Sequence, residues 1–418
     1  MEDFKNIAQA AKSASLDLMF ETTERKNEAL LKIAEKIEEN KDKIFTANAL
    51  DLEEAQSLVE SGEITKSTYA RLKLDENKMR DMIQGIKDVA NLADPVGKVL
   101  LKRELDEDLV LTKISAPIGV IGVIFEARPD VITQISALAI KSGNAVILKG
   151  GKESNNTNTT IFEIIKSALN SLDDFNSNCV SLIKSREDVK KMLEYDEYID
   201  LIIPRGSNTL VKFIQNNTKI PVLGHAAGIC TIFVDEFANK DYAENICVDA
   251  KTQYPSACNA VETILVHKNY PYTSELKEAL EKASVEIIKN PENYSCEYGE
   301  KKVSLIEVNS ITEAVSHINK YGSGHTDSII TENIENAKKF MASVDSAGVY
   351  HNASTRFADG FRYGFGAEVG ISTNKTHARG PVGLDGLTIY KYYLEGKGQI
   401  VADYANGSKK FNHKDLKI

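Results

Sequence analysis

One cysteine stands in a setting where its thiol could act as a nucleophile. Cys258 lies at the centre of the polar, proline-containing segment 252–263, which runs directly into the strand-like segment 263–267. This layout predicts a thiol at the mouth of a sheet, where it could attack an electrophile through its thiolate form. Because an isolated cysteine is more often a small buried side chain, the nucleophile hypothesis depends on the rest of the chain.

The composition is that of a soluble globular protein. The 418 residues are enough for two or three domains, and 42% are hydrophobic while 27% are charged. The net charge of −10 argues against nucleic acid or a membrane surface as the main partner. Local basic sites for an anionic small molecule are still compatible with this net charge.

Targeting segments and disulfide formation are not indicated. The longest apolar run, 117–125, is too short to span a bilayer, and the N-terminus lacks the features of a signal peptide. The cysteines are odd in number and form no C-x-x-C pair, which suits a reducing cytoplasm and argues against a zinc knuckle. We therefore expect a cytoplasmic protein with no metal site. The five cysteines are Cys179, Cys230, Cys247, Cys258 and Cys296.

Strands alternate with helices through the centre of the chain, which predicts an α/β architecture. The stretch 1–95 shows apolar stripes at helical spacing. Beyond it, helical segments separate predicted strands at 118–125, 144–148, 198–203 and 219–223. This is the pattern of βαβ units in a largely parallel sheet with helices on both faces. After Cys258 the alternation continues, which predicts a second α/β domain.

Two segments, 99–115 and 387–404, have the pattern of exposed β-ribbons. The second is rich in tyrosine. Such ribbons could pair with each other or with another subunit, and we favour a contact in a homo-oligomer.

Two short glycine-containing loops follow predicted strands and carry basic side chains. The first, 149–152, has two glycines between two lysines, and the second, 205–207, is arginine, glycine and serine. Ligands of parallel sheets bind at the carboxyl ends of strands, where helix N-termini favour anions. Either loop alone could be an ordinary tight turn, but two on consecutive units indicate an anionic ligand. The G-x-G-x-x-G and G-x-x-x-x-G-K-[ST] fingerprints are absent.

Several segments, in the right order along nearly the whole chain, resemble the aldehyde dehydrogenase superfamily. Its cofactor-domain signature resembles PIGVIGVIFEARP at 117–129 and GNAVILKGGKES at 143–154. The most specific segments are YPSACNAVET at 254–263, around Cys258, and HARGP at 377–381. Further similar segments are 200–207, 228–230, 352–356 and 366–369.

The resemblance implies two Rossmann-like α/β domains of the aldehyde dehydrogenase type and a small β-flap used for oligomerisation. The implied boundaries are 1–102 and 116–225 for the cofactor-binding domain, with 360–384 returning to it, then 226–359 for the catalytic domain, and 103–115 and 385–404 for the flap.

The particular form that the superfamily motifs take in this chain further implies NADPH-dependent reduction of L-glutamyl 5-phosphate to L-glutamate 5-semialdehyde and phosphate. This reaction belongs to proline biosynthesis and would proceed through a cysteine thioester. The glutamate kinase that makes this substrate is then a possible partner. Superfamily members that hydrolyse their thioester carry a glutamate base in an E-L-G-G motif. The matching stretch here, GHAAG at 224–228, has no carboxylate to activate water, which favours the acyl-phosphate reductase.

The resemblance also assigns roles to single residues. Cys258 matches the nucleophile, and backbone N–H groups near Cys258 and Asn259, with Arg128, would stabilise the oxyanion. Arg128, Arg356 and Arg379 could each equally form a surface ion pair. The residues expected near the substrate are Asn352, Ser354, Arg356 and Arg379. Those expected at the cofactor are Lys149, Gly150, Gly206, Ser207 and Glu297.

Three positions depart from the family pattern, and two other functions stay open. Thr231 stands where the family usually has histidine, Asp130 where it often has asparagine, and Lys149 where arginine is common. A lysine would hold a phosphate as a point charge, without the two-pronged geometry of arginine. The closest alternative is a CoA-acylating aldehyde dehydrogenase, and a more distant one is a catalytically silent scaffold on the same fold.

Overall fold

Helices and strands alternate through most of the chain, as the sequence pattern predicts. A computed structural model describes residues 4–225, 227–289, 291–375 and 377–418. No helix in these ranges is both long enough and apolar enough to cross a membrane. In chain order the elements are α1 (Phe4–Leu18), α2 (Thr23–Glu39), α3 (Lys41–Glu60), α4 (Lys66–Leu72), α5 (Glu76–Asn91), β1 (Val99–Asp106), β2 (Leu109–Pro117), β3 (Val120–Phe125), α6 (Val131–Lys141), β4 (Ala145–Lys149), α7 (Asn155–Asn170), β5 (Val180–Ile183), α8 (Arg186–Glu194), β6 (Leu201–Arg205), α9 (Asn208–Asn216), β7 (Cys230–Val234), α10 (Lys240–Thr252), β8 (Val261–His267), α11 (Thr273–Lys282), β9 (Glu286–Ile288), β10 (Lys302–Val308), α12 (Ile311–Tyr321), β11 (Thr326–Ile330), α13 (Ile334–Ser343), β12 (Gly348–His351), β13 (Gly370–Ser372), β14 (Gly380–Val382), β15 (Thr388–Glu395), α14 (Val401–Ala405) and β16 (Lys414–Asp415).

The chain forms two compact units. The first contains Met1–Gly206, Phe213–Val222 and Gly383–Ile418, and the second contains Ser207–Lys212 and Leu223–Val382. The segment 360–384, expected to return to the first domain, lies with the second unit as far as Val382. Contacts with the rest of the second unit explain this difference, because Arg379 forms an ion pair with Asp345 and His225 Nδ1 lies 2.9 Å from Ile371 O.

The first unit is built on a parallel sheet in the order β5-β4-β3-β6. Every residue of β3 is buried, as expected for a strand covered by helices on both faces. The sequence pattern missed β5, a short strand, and predicted a strand at 219–223 that is reduced to a single bridge between Ile202 and Val222. Since β3 lies between β4 and β6, the chain reverses its direction across the sheet at β3. This reversal is where an open α/β sheet binds ligands.

A second sheet of the first unit is antiparallel, in the order β15-β2-β1-β16. The two ribbons predicted from the sequence therefore pair with each other, through β15 and β2. The prediction of a ribbon over 387–404 is wrong in its last part, because Val401–Ala405 form the short helix α14. Tyr404 Oη of this helix donates a hydrogen bond of 2.8 Å to Asp106, while β16 takes the place beside β1.

The second unit is built on a six-stranded sheet in the order β12-β11-β7-β8-β10-β9. All of its strand pairs are parallel. Each face has its own apolar core, one including Ile232 and Val266 and the other including Phe233 and Leu265. Alternate residues of β7 and β8 thus point to opposite faces. Because the two strands pair in parallel, their starts lie side by side at the amino-terminal edge of the sheet.

A buried carboxylate fixes the helix that follows the predicted anion loop 149–152. Asp51 of α3 accepts hydrogen bonds from Asn156 N (3.0 Å), Thr157 N (2.7 Å) and Thr157 Oγ1 (2.6 Å). Ser154, the residue that precedes α7, makes no side-chain cap. Asp51 therefore satisfies the first N–H groups of α7 from another helix and carries the negative charge that a helix N-terminus favours.

We expect Asp51→Ala to destabilise the first unit by about 3 kcal/mol, because three buried donors lose a charged acceptor together. Hydrogen exchange in α7 and the urea midpoint measure the effect. The exposed Asp81 is the control, and Asp81→Ala should change the free energy of unfolding by no more than about 0.5 kcal/mol. Equal midpoints for the two variants would show that packing alone holds α7.

Candidate active site

Cys258 lies on the loop that joins α10 to β8, at the amino-terminal edge of the second unit's sheet. Its side chain is half-buried and forms no disulfide. Cys179, Cys230 and Cys247 are buried, and burial raises the pKa of each of these thiols, that of Cys179 to about 12. The structure therefore places Cys258 where a reagent can reach it, while three of the other thiols are enclosed and protonated.

A buried ion pair closes the loop that carries Cys258. Lys251, near the end of α10, and Glu262, on β8, lie 2.8 Å apart with 0% and 1% of their side chains exposed. Burial raises the pKa of Glu262 to about 7 and lowers that of Lys251, and each partner opposes the shift of the other. Glu262 also accepts hydrogen bonds from Tyr298 N (3.2 Å) and Gly299 N (3.4 Å). One carboxylate thus joins α10, β8 and the segment that follows Glu297.

The Cys258 loop packs directly against the segment that leads into β7. A Cβ atom added at Gly228 would lie 2.6 Å from Cys258 Cβ and would also overlap the Cys258 backbone. The thiol of Cys230 donates to the Cys258 carbonyl, with a sulfur–oxygen distance of 3.4 Å. Gly228 is therefore required at this position by close backbone approach, which is one of the common reasons for glycine.

Two imidazole rings lie close to the Cys258 sulfur. One nitrogen each of His225 and His325 and the sulfur all lie within 4.8 Å of one another. The two rings meet edge to face, with centroids 5.0 Å apart and planes 82° apart. An imidazole that comes within hydrogen-bond reach of a thiol can accept its proton when the thiol becomes a nucleophile. The structure thus places two candidate bases near Cys258, and one of them, His225, belongs to the stretch 224–228.

Arg356 and Asn259 complete the surroundings of the cysteine loop. Arg356 is 8% exposed, and its Nε donates to Gln253 Oε1 at 2.9 Å. Burial, together with Arg362, lowers its pKa, while its interaction with Cys258 acts in the opposite direction. Asn259 donates from Nδ2 to Ala358 O at 2.8 Å, and its buried Oδ1 has no hydrogen-bond partner among the described residues. The predicted Arg356 and Asn259 therefore lie in the same loop cluster as Cys258.

Ser354, Asn352 and Arg379 each form hydrogen bonds inside the second unit. Ser354 Oγ accepts from Arg356 N. Asn352 bonds Thr331 N (2.9 Å) and Thr331 O (3.0 Å), and its φ of 53° reverses the chain after β12. Arg379 donates to the Asp345 carboxylate (3.2 Å) and carbonyl (3.0 Å). Their expected contact with substrate stays a prediction.

Four predicted site residues lie in the first unit, at the carboxyl ends of β3, β4 and β6. Arg128 is exposed on the loop after β3, and Lys149 ends β4 with Nζ donating to Gly150 O at 2.6 Å. Gly206 is exposed immediately after β6. The loops after β3 and β6 are joined by a hydrogen bond from Glu126 N to Arg205 O at 3.1 Å. This edge combines basic side chains with the N-terminus of α7, and these features fit the phosphates of a dinucleotide.

The two remaining predicted cofactor residues lie together in the second unit. Ser207 Oγ accepts from Leu210 N at 3.3 Å, at the start of α9. The next residue, Asn208, donates from Nδ2 to Glu297 Oε2 at 3.0 Å. This contact brings Ser207 and Glu297, which are far apart in sequence, to neighbouring positions. Their roles at a pyrophosphate and a ribose remain predictions.

Sequence reasoning missed His225, His325 and the Lys251–Glu262 pair. The two histidines precede different strands, β7 and β11, and have no fixed spacing from Cys258. Only the parallel order of β11, β7 and β8 brings their amino ends together. The one available signal was that Lys251 and Glu262 flank the Cys258 loop on either side, as an opposite-charge pair would.

Comparison with known proteins agrees with this arrangement. The model of the aldehyde dehydrogenase family matches residues 1–299. The chain belongs to the aldehyde dehydrogenase family. It is 57% identical to the gamma-glutamyl phosphate reductase of Brachyspira hyodysenteriae, over 99% of both chains. It is 49% identical to the enzyme of that name from Methanosarcina acetivorans, over 100% of this chain and 98% of that one.

Solved structures show the same fold. The crystal structure of gamma-glutamyl phosphate reductase from Thermotoga maritima has a TM-score of 0.91 and 38% identity, covering 96% of this chain and 100% of that one. An acetylating aldehyde dehydrogenase from Geobacillus thermoglucosidasius, 16% identical with a TM-score of 0.65, covers 95% of this chain and 97% of that one, and shows the fold alone. The expected aldehyde dehydrogenase-type fold and the oxidoreductase class are therefore confirmed.

We expect Lys251→Met to lower the free energy of unfolding by about 3–5 kcal/mol, because the Glu262 carboxylate stays buried without its counter-ion. The double variant Lys251→Met/Glu262→Leu should recover part of this loss. Lys302→Met is the matched control, since Lys302 forms an exposed pair with Glu286 at 3.5 Å and should cost no more than about 1 kcal/mol. Urea titration measures all three. A loss in Lys251→Met as small as that of the control would refute the role of the pair.

Brief iodoacetamide treatment near neutral pH should label Cys258 before the other thiols. Mass mapping of the labelled peptides measures this, and Cys296, which is also half-buried, is the internal competitor. Labelling of the Cys258 peptide should persist in Cys296→Ser and disappear in Cys258→Ser. Faster labelling of Cys179, Cys230 or Cys247 would contradict the burial of these thiols.

Proposed function

We propose that the chain catalyses the reduction of L-glutamyl 5-phosphate by NADPH to L-glutamate 5-semialdehyde and phosphate, a step of proline biosynthesis. The observation that carries the proposal is the half-buried Cys258 thiol, held beside two imidazoles and a buried guanidinium by the closed loop between α10 and β8. Membership of the gamma-glutamyl phosphate reductases, at 57% identity over the full length, supports the choice of acyl phosphate.

The cysteine would act through a covalent thioester. The thiol proton passes to the imidazole of His225 or His325, and the thiolate attacks the acyl carbon. The bond between that carbon and the phosphate oxygen breaks, and phosphate leaves with its electron pair. After reduction of the thioester carbon, the thiohemiacetal collapses to the aldehyde and the imidazolium returns its proton to the departing sulfur.

The positive charges near the loop would hold the anionic substrate and the developing oxyanion. Arg356 is already buried and oriented by Gln253, so it can bind a phosphate or carboxylate without further ordering. Backbone N–H groups near Cys258 and Asn259, with Arg128, would stabilise negative charge on the carbonyl oxygen. Asn352, Ser354 and Arg379 would line the remaining substrate surface.

The nicotinamide cofactor, when bound, would supply the hydride. Lys149 and Gly150 would hold its adenosine ribose and 2′-phosphate, Gly206 and Ser207 its pyrophosphate, and Glu297 its nicotinamide ribose. A lysine at 149 attracts the 2′-phosphate as a point charge, which supports NADPH rather than NADH.

We further propose the domain roles that follow from these assignments. The first unit supplies most of the cofactor contacts, and the second adds Ser207 and Glu297 and carries the chemistry. The antiparallel sheet is the oligomerisation flap, whose β15 exposes Tyr390, Tyr392 and Tyr393. A homo-oligomer that works in the cytoplasm, supplied with substrate by glutamate kinase, is the setting in which we expect the enzyme to act.

Oxidation of NADPH, followed with enzymatically generated glutamyl phosphate and separately with acyl-CoA, tests the reaction. We expect turnover with glutamyl phosphate only, and a loss of at least about 10⁴-fold in Cys258→Ser, because no thioester can form. Cys296→Ser should keep near-wild-type turnover, and circular dichroism should show that both variants fold. Activity confined to the CoA ester would reject the assignment, and full activity in Cys258→Ser would reject the mechanism.

A further inference from the structure

We propose that His225, Cys258 and His325 form a binding site for Zn²⁺, and that the ion switches the enzyme off by occupying the nucleophilic sulfur. The three side chains come from the segments that precede β7, β8 and β11. One ring nitrogen of each histidine and the sulfur all lie within 4.8 Å of one another. Imidazole nitrogen and thiolate sulfur are the ligands that Zn²⁺ prefers in proteins.

His225 has the orientation of a metal-binding histidine. Its Nδ1 lies 2.9 Å from Ile371 O, and since a carbonyl can only accept, Nδ1 carries the hydrogen. The lone pair of this tautomer is therefore on Nε2. Histidines that bind metals usually donate their other ring N–H to a carbonyl or carboxylate in this way, which fixes the ring and raises its basicity.

His325 provides the second observation that points to a ligand. The side chain is 0% exposed, and its Nε2 has no hydrogen-bond partner among the described residues. Its Nδ1 contacts Thr326 Oγ1 at 2.9 Å and Cys230 Sγ at 3.7 Å. A buried polar nitrogen without a partner costs free energy, and coordination would recover that cost. Thr326 would then accept the Nδ1 hydrogen, as Ile371 O does for His225.

The distances between the two ring nitrogens and the sulfur favour a small ion, which the three side chains could bind after a small inward movement. Bonds of about 2.0 Å to nitrogen and about 2.3 Å to sulfur place the ligand atoms of a tetrahedral site about 3.3–3.5 Å apart. The observed limit of 4.8 Å therefore requires inward movement of about 1 Å or less per side chain. Mg²⁺ and Ca²⁺ require oxygen ligands, so this donor set selects against them. The fourth position would be taken by water or by a substrate oxygen.

Binding and catalysis would exclude each other. The ion displaces the thiol proton, so Cys258 is held as a metal thiolate and one proton is released for each ion bound. A sulfur whose electron pair is coordinated cannot attack an acyl carbon, and histidines that hold the metal cannot take up a proton. The inhibition is reversible, because no bond between sulfur and carbon is made. Metal binding itself does not depend on the proposed reaction.

Titration of the chelator-treated full-length protein with Co²⁺ tests the site without any activity measurement. We expect one ion per chain, with a thiolate-to-cobalt charge-transfer band and the intense visible bands of tetrahedral cobalt. The charge-transfer band should be absent in Cys258→Ser and unchanged in Cys296→Ser. The affinity should fall by at least about 100-fold in His225→Ala. A band that survives in Cys258→Ser, or an affinity unchanged in His225→Ala, would overturn the proposal.

His325→Ala is the more demanding variant, because the side chain is completely buried. If it folds, it should lose affinity as His225→Ala does, and unchanged affinity would count against the proposal. If it does not fold, His325→Gln, which keeps a polar side chain of similar length, replaces it and should show the same loss.

The second test of the site measures the inhibition of turnover by Zn²⁺. Zn²⁺ should inhibit the wild type and Cys296→Ser at the same concentration, with full recovery on addition of a chelator, while His225→Ala should need at least about 100-fold more. Inhibition that is equal in wild type and His225→Ala would contradict the site. A protein that binds Co²⁺ through Cys258 but reduces no acyl phosphate would refute the proposed function and leave the metal site standing.

Discussion

The second unit depends on one buried contact between opposite charges. Lys251 and Glu262 stand at the two ends of the loop that carries Cys258, and neither side chain reaches solvent. Two ions taken out of water are tolerated only when they are close together and hydrogen-bonded, so the pair permits very little variation in the length and path of the loop. The backbone donors Tyr298 and Gly299 bring a third segment to the same carboxylate. The half-buried thiol of Cys258 is thus held by a closed frame, although it lies on a loop.

The candidate site residues of the two parallel sheets lie at opposite ends of the strands. In the first unit, the basic loops follow the strands, at the carboxyl edge where α/β sheets commonly bind ligands. In the second unit, the clustered side chains precede the strands. His225, Cys258 and His325 meet there because β7, β8 and β11 are adjacent and parallel, so the segments entering them must converge. Convergence of three entering segments allows a compact cluster without any sequence motif.

Much of the fold follows from local patterns, and the rest depends on long-range pairing. The alternation of apolar strands and amphipathic helices is strong enough to predict two α/β domains. Cys258 can also be recognised from the sequence, because it stands alone in a polar loop. Strand β5 is too short to give a signal. The stretch 399–404 resembles a strand, but its residues from Val401 onward form α14, where Tyr404 bonds Asp106. His225 and His325 carry no local signal, since only the order of the strands brings them together.

The close approach at Gly228 has a consequence for how this enzyme can be altered. The backbone of Cys258 lies where any side chain at position 228 would begin, so even alanine forces the loop to move. Position 228 can therefore accept no side chain unless the Cys258 backbone shifts. Evolution or engineering of the cysteine loop must act through other positions, because residue 228 and Cys258 can change only together.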